Sequence, residues 1–298
     1  MANSPFSGLL LLKKSPGVTS FESLGMIKKA LGTGKVGHTG TLDKFASGLL
    51  LVLVGKALKL TPLFNSLDKE YRGTIRFGVE TDTLDPEGKI IAKGKIPSRE
   101  ELESVLPAFT GEIMQAPPAF SALHINGQRA YELARAGKGP EMKKRPVTVY
   151  ALEIISWKAP SAEIRVCCST GTYIRSLARD LALAAGSRAH LTALERTRIG
   201  AFRLDEAFDP NEGKAPAFAI RPVDEALFKA LKIKRVLWDG EKAAAIMHGK
   251  SLDGFADTLP GEPTLAIFGS AGTGPSKLLA VIEQNMGKWS YSHVFANN

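Results

Sequence analysis

We expect an α+β fold built on a largely antiparallel mixed sheet, followed by a small β-rich domain at the C-terminus. Long apolar or alternating strand patterns are interrupted by only two or three helix patterns along the chain. The helices do not alternate regularly with the strands, which argues against a parallel sheet of βαβ units. The 298 residues suffice for one large domain, or for a large and a small one, with a full core.

The N-terminal segment should form a strand, a helix, a glycine-rich turn and a second strand. In "GLLLLKKSPGVTSFESLGMIKKALG", Thr19 and Glu22 fit a capping box, and Gly32 fits the residue that ends the helix. The apolar face of this helix should comprise Phe21, Leu24, Ile27, Ala30 and Leu31. The turn "GHTGTLDKFASG" places the carboxylate of Asp43 shortly before the apolar strand "GLLLVLVGKA".

The middle of the chain combines an alternating strand with a basic segment that we expect to protrude. In "KEYRGTIRFGVETDTLDPEG", one face of the strand should carry Tyr71, Gly73, Ile75, Phe77 and Val79. Ser98 and Glu101 fit a second capping box. Residues 111–146 form a turn-rich insert with a short helix around Tyr131. Its basic side chains are Arg129, Arg135, Lys138, Lys143, Lys144 and Arg145.

The remaining elements suggest where one domain ends and a second begins. The strand "SAEIRVCCS" is followed by a helix in "TGTYIRSLARDLALAAG", with Gly186 at its end. The segment "APAFAIRPVDEALF" is interpreted as a linker. We therefore expect a large domain over residues 1–232 and a small β-rich domain over residues 233–298, with a helix from Asp239 to His248.

Composition limits the class of protein. The net charge of +9, from 39 Lys and Arg against 30 Asp and Glu, favours an anionic partner, nucleic acid before membrane. No apolar run is long enough to span a bilayer, and lysines follow rather than precede the first apolar stretch, so a cytoplasmic protein is expected. Cys167 and Cys168 are neighbours on a strand and point to opposite faces, and the five histidines lack ligand spacing, so no metal is expected.

The glycine-rich stretches and a second acidic cluster do not support a nucleotide-binding or a second catalytic site. The stretches "GTGKVGHTGT" and "GSAGTGPSK" lack the spacing of a phosphate-binding loop or a dinucleotide fingerprint. Asp82 and Asp85 lie in "TDTLDPEG", where Asp-Pro and Glu-Gly are turn chemistry, so a structural role is the better interpretation.

Arg175 is the residue that most clearly asks for a partner. It lies in the first turn of its helix, after Thr170 or Thr172 as the expected cap, where a cation opposes the helix dipole. Arg179 follows one turn later and adds like-charge repulsion. A phosphate, a buried carboxylate, or both, should compensate this cost.

Four motifs in order resemble the bacterial tRNA pseudouridine-55 synthases. They are "GHTGTLDKFASGLL", "KEYRGTIRFGVETDTLDPEG", "FTGEIMQAPPAFSALHINGQRAYELARAG" and "CSTGTYIRSLARDLA". The resemblance covers Leu9 to Gly200 well and the C-terminal part loosely. It implies a pseudouridine synthase fold, a small C-terminal RNA-binding domain, and an enzyme that isomerises one uridine in the T loop of tRNA without a cofactor.

The resemblance also implies roles for individual residues. The catalytic aspartate falls on Asp43, its arginine partner on Arg175, and the base-stacking tyrosine on Tyr71. Further substrate contacts fall on His38, Tyr173 and Leu194. The RNA backbone should meet Lys14, Arg129, Lys143, Lys144 and Arg145. The carboxylate could stabilise positive charge on the sugar, act as a nucleophile, or take a ribose proton.

Three positions depart from the family pattern, and two other functions compete. Lys44 stands where a proline usually follows the catalytic acid, Lys13 replaces an acid in the first motif, and His124 replaces a lysine in the insert. A non-catalytic RNA-binding or RNA-chaperone protein would also be basic, and the same chemistry could act on another RNA. We expect a monomer.

Overall fold

The computed structural model describes residues 6–121, 123–125, 127–136, 139, 142–271 and 274–295. Their strands are β1 (Gly8–Lys14), β2 (Val36–Thr39), β3 (Ser47–Val54), β4 (Lys69–Phe77), β5 (Val79–Thr81), β6 (Ile90–Lys93), β7 (Gly111–Gln115), β8 (His124–Ile125), β9 (Gln128–Arg129), β10 (Arg145–Lys158), β11 (Ser161–Cys168), β12 (Ala189–Ile199), β13 (Phe202–Arg203), β14 (Lys234–Trp238), β15 (Thr264–Ala271), β16 (Gly274–Asn285) and β17 (Lys288–Val294). Their α-helices are α1 (Ser20–Leu31), α2 (Thr61–Asn65), α3 (Arg99–Val105), α4 (Ala130–Arg135), α5 (Ile174–Ala184), α6 (Glu225–Ala230) and α7 (Gly240–Met247).

The largest sheet follows the order β1-β3-β12-β4-β11-β10-β7, with β2 also paired to β3 and β13 to β12. Its ladders are antiparallel except for a short parallel pairing of β12 with β3. Helix α5 packs its apolar side on β4 and β12. A separate four-stranded sheet, β14-β15-β16-β17, follows in the C-terminal part. The expected α+β fold on a largely antiparallel sheet is confirmed.

Helix α1 begins and ends where its capping signals predict. The Thr19 hydroxyl accepts a hydrogen bond from the Glu22 N–H at 3.1 Å, and the Glu22 carboxylate accepts from the Thr19 N–H at 2.7 Å. Gly32 ends the helix with a left-handed φ of 61°. The second capping box, Ser98 with Glu101, is likewise present at α3.

The apolar face of α1 is narrower than its pattern predicts. Phe21 is 73% exposed, and Ala30 is also exposed. The helix instead turns Ser20 inward, where its hydroxyl accepts from the Leu42 N–H at 2.9 Å and donates to the Leu42 carbonyl at 3.1 Å. This polar contact joins the start of α1 to the loop before Asp43.

Strand β4 lies at the centre of the large sheet, between β11 and β12. Its buried residues alternate as predicted: Lys69, Tyr71, Gly73, Ile75 and Phe77. Val79 falls outside this face, because Gly78 interrupts the strand with a φ of 89°. The register places Tyr71 opposite Val166 on one side and opposite Arg196 on the other.

Helix α5 is not capped by Thr170 or Thr172, as the sequence suggested. Tyr173 is the N-cap residue, and its side chain makes no capping hydrogen bond. The Thr172 hydroxyl donates to the Ser169 carbonyl at 3.0 Å, within the preceding turn. The start of the helix is therefore open to groups from other elements.

The basic insert and the expected linker are both attached to the sheet at their ends. Strand β7 pairs with the beginning of β10 at the sheet edge, so both ends of the insert belong to the sheet. Residues 215–228, the expected linker, are packed: Leu9 and Arg221 exchange backbone hydrogen bonds of 2.9 and 2.7 Å. Phe228 is fully buried and meets Phe268 of the C-terminal sheet edge to face, with centroids 5.6 Å apart.

The two cysteines lie on opposite faces of β11, as their adjacency predicts. Cys168 is buried, Cys167 is half-buried, and neither is in a disulfide. Burial raises the pKa of the Cys168 thiol to about 12, so the thiol is protonated at neutral pH. In the residues that the structure describes, no helix is long and apolar enough to cross a membrane.

Candidate active site

A cavity of about 290 Å³ opens where the Asp43 loop, β4, β12 and the start of α5 meet. Its walls include Asp43, Tyr71, Ser121, Tyr173, Arg175 and Leu194. Five of these six residues are sequence-predicted site residues, and they come from four different elements or loops of the chain. The fold therefore brings Asp43, Tyr71, Tyr173, Arg175 and Leu194 together around one space.

Asp43 and Arg175 form the ion pair at the centre of the cavity. Nη2 of Arg175 donates a hydrogen bond to Oδ1 of Asp43 at 3.0 Å, and Nε lies 2.9 Å from Oδ2. The arginine side chain is 5% exposed, whereas the aspartate side chain is 38% exposed. The guanidinium thus lies behind the carboxylate, which remains accessible from the cavity.

Arg175 is held by three further acceptors that the sequence did not reveal. Nη1 donates to the Thr83 carbonyl at 2.8 Å and lies 3.3 Å from Oδ2 of Asp85. Nη2 also donates to the Phe120 carbonyl at 3.0 Å. Asp85 was interpreted as a turn residue, and it does accept from the Glu87 N–H at 3.0 Å. Its buried carboxylate is also the second anion beside the arginine.

The electrostatics of Asp43 reflect competing influences. Burial raises the pKa of the Asp43 carboxyl above its ordinary value, and the nearby Asp85 adds to the rise. The contacts with Arg175, and the more distant Lys14, lower the pKa but do not cancel the effect of burial. The carboxylate is therefore a stronger base than a free aspartate, while its guanidinium partner favours the charged form.

The loop that carries Asp43 is held from below by the segment after β1. Lys14 is 1% exposed, and its Nζ donates to the carbonyls of Ala46 at 2.5 Å and Ser15 at 3.1 Å. The Gly17 N–H donates to the Lys44 carbonyl at 2.8 Å. Burial lowers the pKa of the Lys14 ammonium to about 8.

Lys14 therefore does not occupy the RNA-facing surface where the resemblance placed it. Its ammonium is committed to loop carbonyls because it lies under the loop, so it positions the loop instead of meeting a phosphate. The two neighbouring departures from the family pattern lie at the surface. Lys13 pairs with Asp209 at 2.9 Å, and Lys44 lies 4.0 Å from a carboxylate oxygen of Glu87.

Tyr71 lies on the sheet beneath the cavity and is 7% exposed. Burial raises the pKa of its phenol, and the facing Arg196 guanidinium only partly opposes this, so the hydroxyl is neutral at neutral pH. Arg196 is fully buried and donates to the carbonyls of Leu49 at 2.8 Å and Gly40 at 2.9 Å. Gly48 lies so close to Arg196 that a Cβ would meet its carbonyl oxygen at 2.4 Å, so its glycine serves sheet packing.

Tyr173 lies at the other side of the cavity, and two residues hold it. The buried Gln115 amide accepts from the Tyr173 N–H at 2.8 Å and donates to the Tyr173 carbonyl at 3.1 Å. The Arg145 guanidinium carbon lies 5.3 Å from the Tyr173 ring centroid, and its Nη2 donates to the Gly171 carbonyl at 2.9 Å. The sequence did not single out Gln115, because its position gains meaning only from the pairing of β7 with β10.

The remaining predicted residues are divided between the cavity and the outside. Leu194 is 7% exposed and lies opposite Gly73 in the sheet. His38 lies on β2 and is not part of the cavity wall; burial lowers the pKa of its imidazole. Lys143 and Lys144 are exposed at the end of the insert. The side chains of His124, Arg129 and Arg135, and all of Lys138, lie outside the described residues.

This arrangement defines a class of site. One carboxylate is paired with a buried guanidinium, and Tyr71, Tyr173 and Leu194 lie around the same space; among the described residues that line the cavity, Asp43 is the one acid. Such walls suit a flat, uncharged ring such as a nucleobase that has left its stack. Among the described residues, no group of three or more His, Cys, Asp or Glu is placed to hold a metal ion.

The relatives of this chain agree with that class. Residues 28–174 match the TruB family pseudouridylate synthase (N terminal domain). Proteins called tRNA pseudouridine synthase B are 47% identical over 82% of this chain and 85% of the relative in Borreliella burgdorferi, and 39% identical over 95% and 92% in Francisella philomiragia. The chain therefore belongs to the TruB family of pseudouridylate synthases, which are isomerases.

A solved structure supports the same fold. A chain in the crystal structure of a Cbf5-Nop10-Gar1 complex superposes with a TM-score of 0.67 at 28% identity, covering 93% of this chain and 78% of that one. Because the overlap reaches across both sheets, the C-terminal part shares in the likeness.

Proposed function

We propose that this protein isomerises uridine-55 in the T loop of tRNA to pseudouridine. The observation that carries the proposal is the accessible Asp43 carboxylate backed by the buried Arg175 in a cavity walled by Tyr71, Tyr173 and Leu194. The names of the relatives, tRNA pseudouridine synthase B, support tRNA as the substrate. The basic insert and the net charge of +9 support an RNA partner.

The cavity suits a uridine that has been flipped out of its stack. Unstacking a base costs a few kcal/mol, and stacking on an aromatic ring returns about 1–3 kcal/mol per base. Tyr71 and Tyr173 supply such rings, and Leu194 excludes water from the detached uracil. The base would thus stay in the cavity between cleavage of its bond to the sugar and its reattachment.

Asp43 is the group that meets the reacting bond in this proposal. Breaking the bond between N1 of uracil and C1′ of ribose builds positive character on the sugar. The carboxylate can stabilise that charge, attack as a nucleophile, or remove a ribose proton. The uracil then turns and bonds to C1′ through C5. C5 loses its proton and N1, which has left the sugar, gains one, so that substrate and product have the same composition.

Further features of the proposal concern the whole chain. We place a catalytic domain at residues 1–232, with its RNA-binding insert, and a small RNA-binding domain at 233–298, which starts just before β14. A monomer working in the cytoplasm fits a site built from one chain and a tRNA substrate. Light scattering of the purified protein and fractionation of cells test these two statements.

The decisive experiment compares Asp43→Asn with Asp205→Asn, which removes an exposed acid outside the cavity. Tritium release from tRNA labelled at uridine C5 measures turnover, and filter binding measures affinity. Asp43→Asn should lower turnover by several orders of magnitude and leave tRNA affinity near that of the wild type, because the lost charge acts mainly in the transition state.

Two outcomes would contradict this proposal. Near wild-type tritium release from Asp43→Asn would reduce the acid to a structural role. Unchanged pseudouridine at tRNA position 55 in cells lacking the protein, with loss at a site in another RNA, would assign the same chemistry to that RNA. An RNA-chaperone function would appear as tRNA binding without isomerisation by the wild type.

A further inference from the structure

Ser121 lines the cavity but belongs neither to the ion pair of Asp43 and Arg175 nor to the aromatic walls, so its role is still open. It lies at the end of a segment that leaves the sheet after β7 and passes across the start of α5. Ser121 is only 5% exposed, and it lines the same cavity as Asp43.

The backbone around Ser121 is fixed at both ends of this segment. At the beginning, Gln115 makes two hydrogen bonds with the Tyr173 backbone. Next to Ser121, the Phe120 carbonyl accepts from Arg175 at 3.0 Å. The Ser121 carbonyl itself accepts from the Tyr131 N–H at 3.2 Å. The backbone that carries the hydroxyl is therefore held by contacts with Arg175 and with the Tyr173 backbone.

The hydroxyl of Ser121 is buried and uncommitted. Among the described residues, its Oγ has no hydrogen-bond partner. A buried hydroxyl without a partner costs free energy, so one on a residue that lines a cavity points to a ligand group that could complete it. Nη1 of Arg196, another residue of the cavity wall, also has no hydrogen-bond partner within the described ranges, but a guanidinium can only donate, whereas a hydroxyl donates and accepts.

We propose that the Ser121 hydroxyl hydrogen-bonds with the polar edge of the flipped uracil and thereby helps to select this base. The inference rests on the proposed function. Uracil carries two carbonyl acceptors and one N–H donor on its edge, while Tyr71, Tyr173 and Leu194 offer the ring faces and apolar contact. Asp43 meets the sugar in the proposed function, and Arg175 is held by Asp43, Asp85 and two backbone carbonyls, so the base edge needs a polar partner from another part of the wall.

Ser176 provides a matched control for the loss of a buried hydroxyl. It is fully buried in α5, its Oγ also lacks a partner among the described residues, and it is not part of the cavity wall. Ser176→Ala and Ser121→Ala thus remove the same group from equally buried positions. Only the second change removes it from the cavity.

The experiment measures how much the target base contributes to binding. A T stem-loop RNA with uridine at the target position is compared with the same RNA lacking that base, using the Asp43→Asn protein so that no turnover occurs. The ratio of the two dissociation constants isolates the contribution of the base. Adding Ser121→Ala should reduce this ratio about fivefold to tenfold, as the loss of one net hydrogen bond predicts.

The controls separate failure of this inference from failure of the proposed function. Adding Ser176→Ala should leave the ratio unchanged, and affinity for the RNA without the base should not change in either variant. An unchanged ratio with Ser121→Ala, or an equal fall with Ser176→Ala, overturns the inference. Wild-type protein without tritium release from tRNA would instead refute the proposed function.

Discussion

Arg175 is the residue on which the electrostatics of the site depend. It is buried between Asp43 and Asp85, and the Thr83 and Phe120 carbonyls accept further hydrogen bonds from its two Nη atoms. Removing a buried partner would leave an unpaired charge, which costs more than the pair contributes. The cation that appears unfavourable at the start of a helix is thus stabilised by acids from two distant loops.

The raised pKa of Asp43 predicts the acid side of the pH profile. Catalysis needs the ionised carboxylate, so kcat should fall as the pH drops through this pKa. Because burial and Asp85 raise the pKa above the ordinary value of 3.8, the fall should begin at a higher pH than for a free aspartate. A single-turnover rate measured from pH 4 to pH 8 tests this. Removing the second acid with Asp85→Asn should move the fall to lower pH.

Tyr71 combines a ring with a hydroxyl, and substitutions can separate them. Tyr71→Phe keeps the ring, so tRNA affinity should be retained, while turnover should fall if the hydroxyl moves the proton from C5. Tyr71→Ala should lower both affinity and turnover, because stacking is also lost. Tritium release and filter binding provide the two measurements. Full activity of Tyr71→Phe would show that only the ring is needed.

At the scale of elements, strand β7 connects the rest of the basic insert to helix α5. Its last residue, Gln115, bonds both the N–H and the carbonyl of Tyr173, and the part of the insert beyond β7 begins at the next residue. Under the proposed function, RNA bound by the insert would act on the same strand that holds the Tyr173 ring. Helix α5 has no side-chain cap of its own, so this contact also fixes its first turn.

Gln115→Leu should lower kcat by about tenfold or more, with a smaller change in the KM for tRNA. The leucine fills a similar volume but makes neither hydrogen bond, so Tyr173 loses its fixed position. Gln115→Glu can still accept from the Tyr173 N–H but cannot donate to the carbonyl when ionised, and should be intermediate. Equal kcat in all three proteins, by tritium release at saturating tRNA, would exclude a positioning role.

At the scale of the whole molecule, positive charge should set the affinity for RNA. Lys143 and Lys144 are exposed, whereas Arg145 packs on Tyr173 and bonds Gly171. Replacing Arg145 would therefore disturb the cavity as well as the RNA surface. The two lysines are the better test of phosphate contacts.

Lys143→Ala with Lys144→Ala should weaken tRNA binding and flatten the slope of log affinity against log salt. With fewer phosphate contacts, fewer counterions are released from the RNA on binding. The control is Lys89→Ala with Lys93→Ala, which removes the same charge from exposed positions on and beside β6. Filter binding across a salt series gives both slopes. Equal slopes for the two double variants would show that Lys143 and Lys144 do not contact RNA phosphates.

Local sequence determined most of the elements and the family. Features that depend only on neighbouring residues can be recognised without the fold. They include the capping boxes at Thr19 and Ser98, the alternation along β4 and the order of four motifs. The same holds for the expectation that Arg175 requires an anion. A cation in the first turn of a helix opposes the helix dipole, and this cost can be read from the sequence alone.

Only the tertiary structure decided which groups meet in the cavity. Arg175 contacts Asp43, 132 residues away, and Asp85, 90 residues away, because the order of strands in the sheet brings their loops together. The same packing buries Lys14, which the sequence had placed on the RNA surface, and it positions Gln115 and Ser121 beside the site. Periodicity reports which face of an element is buried, but it carries no information about which element lies against that face.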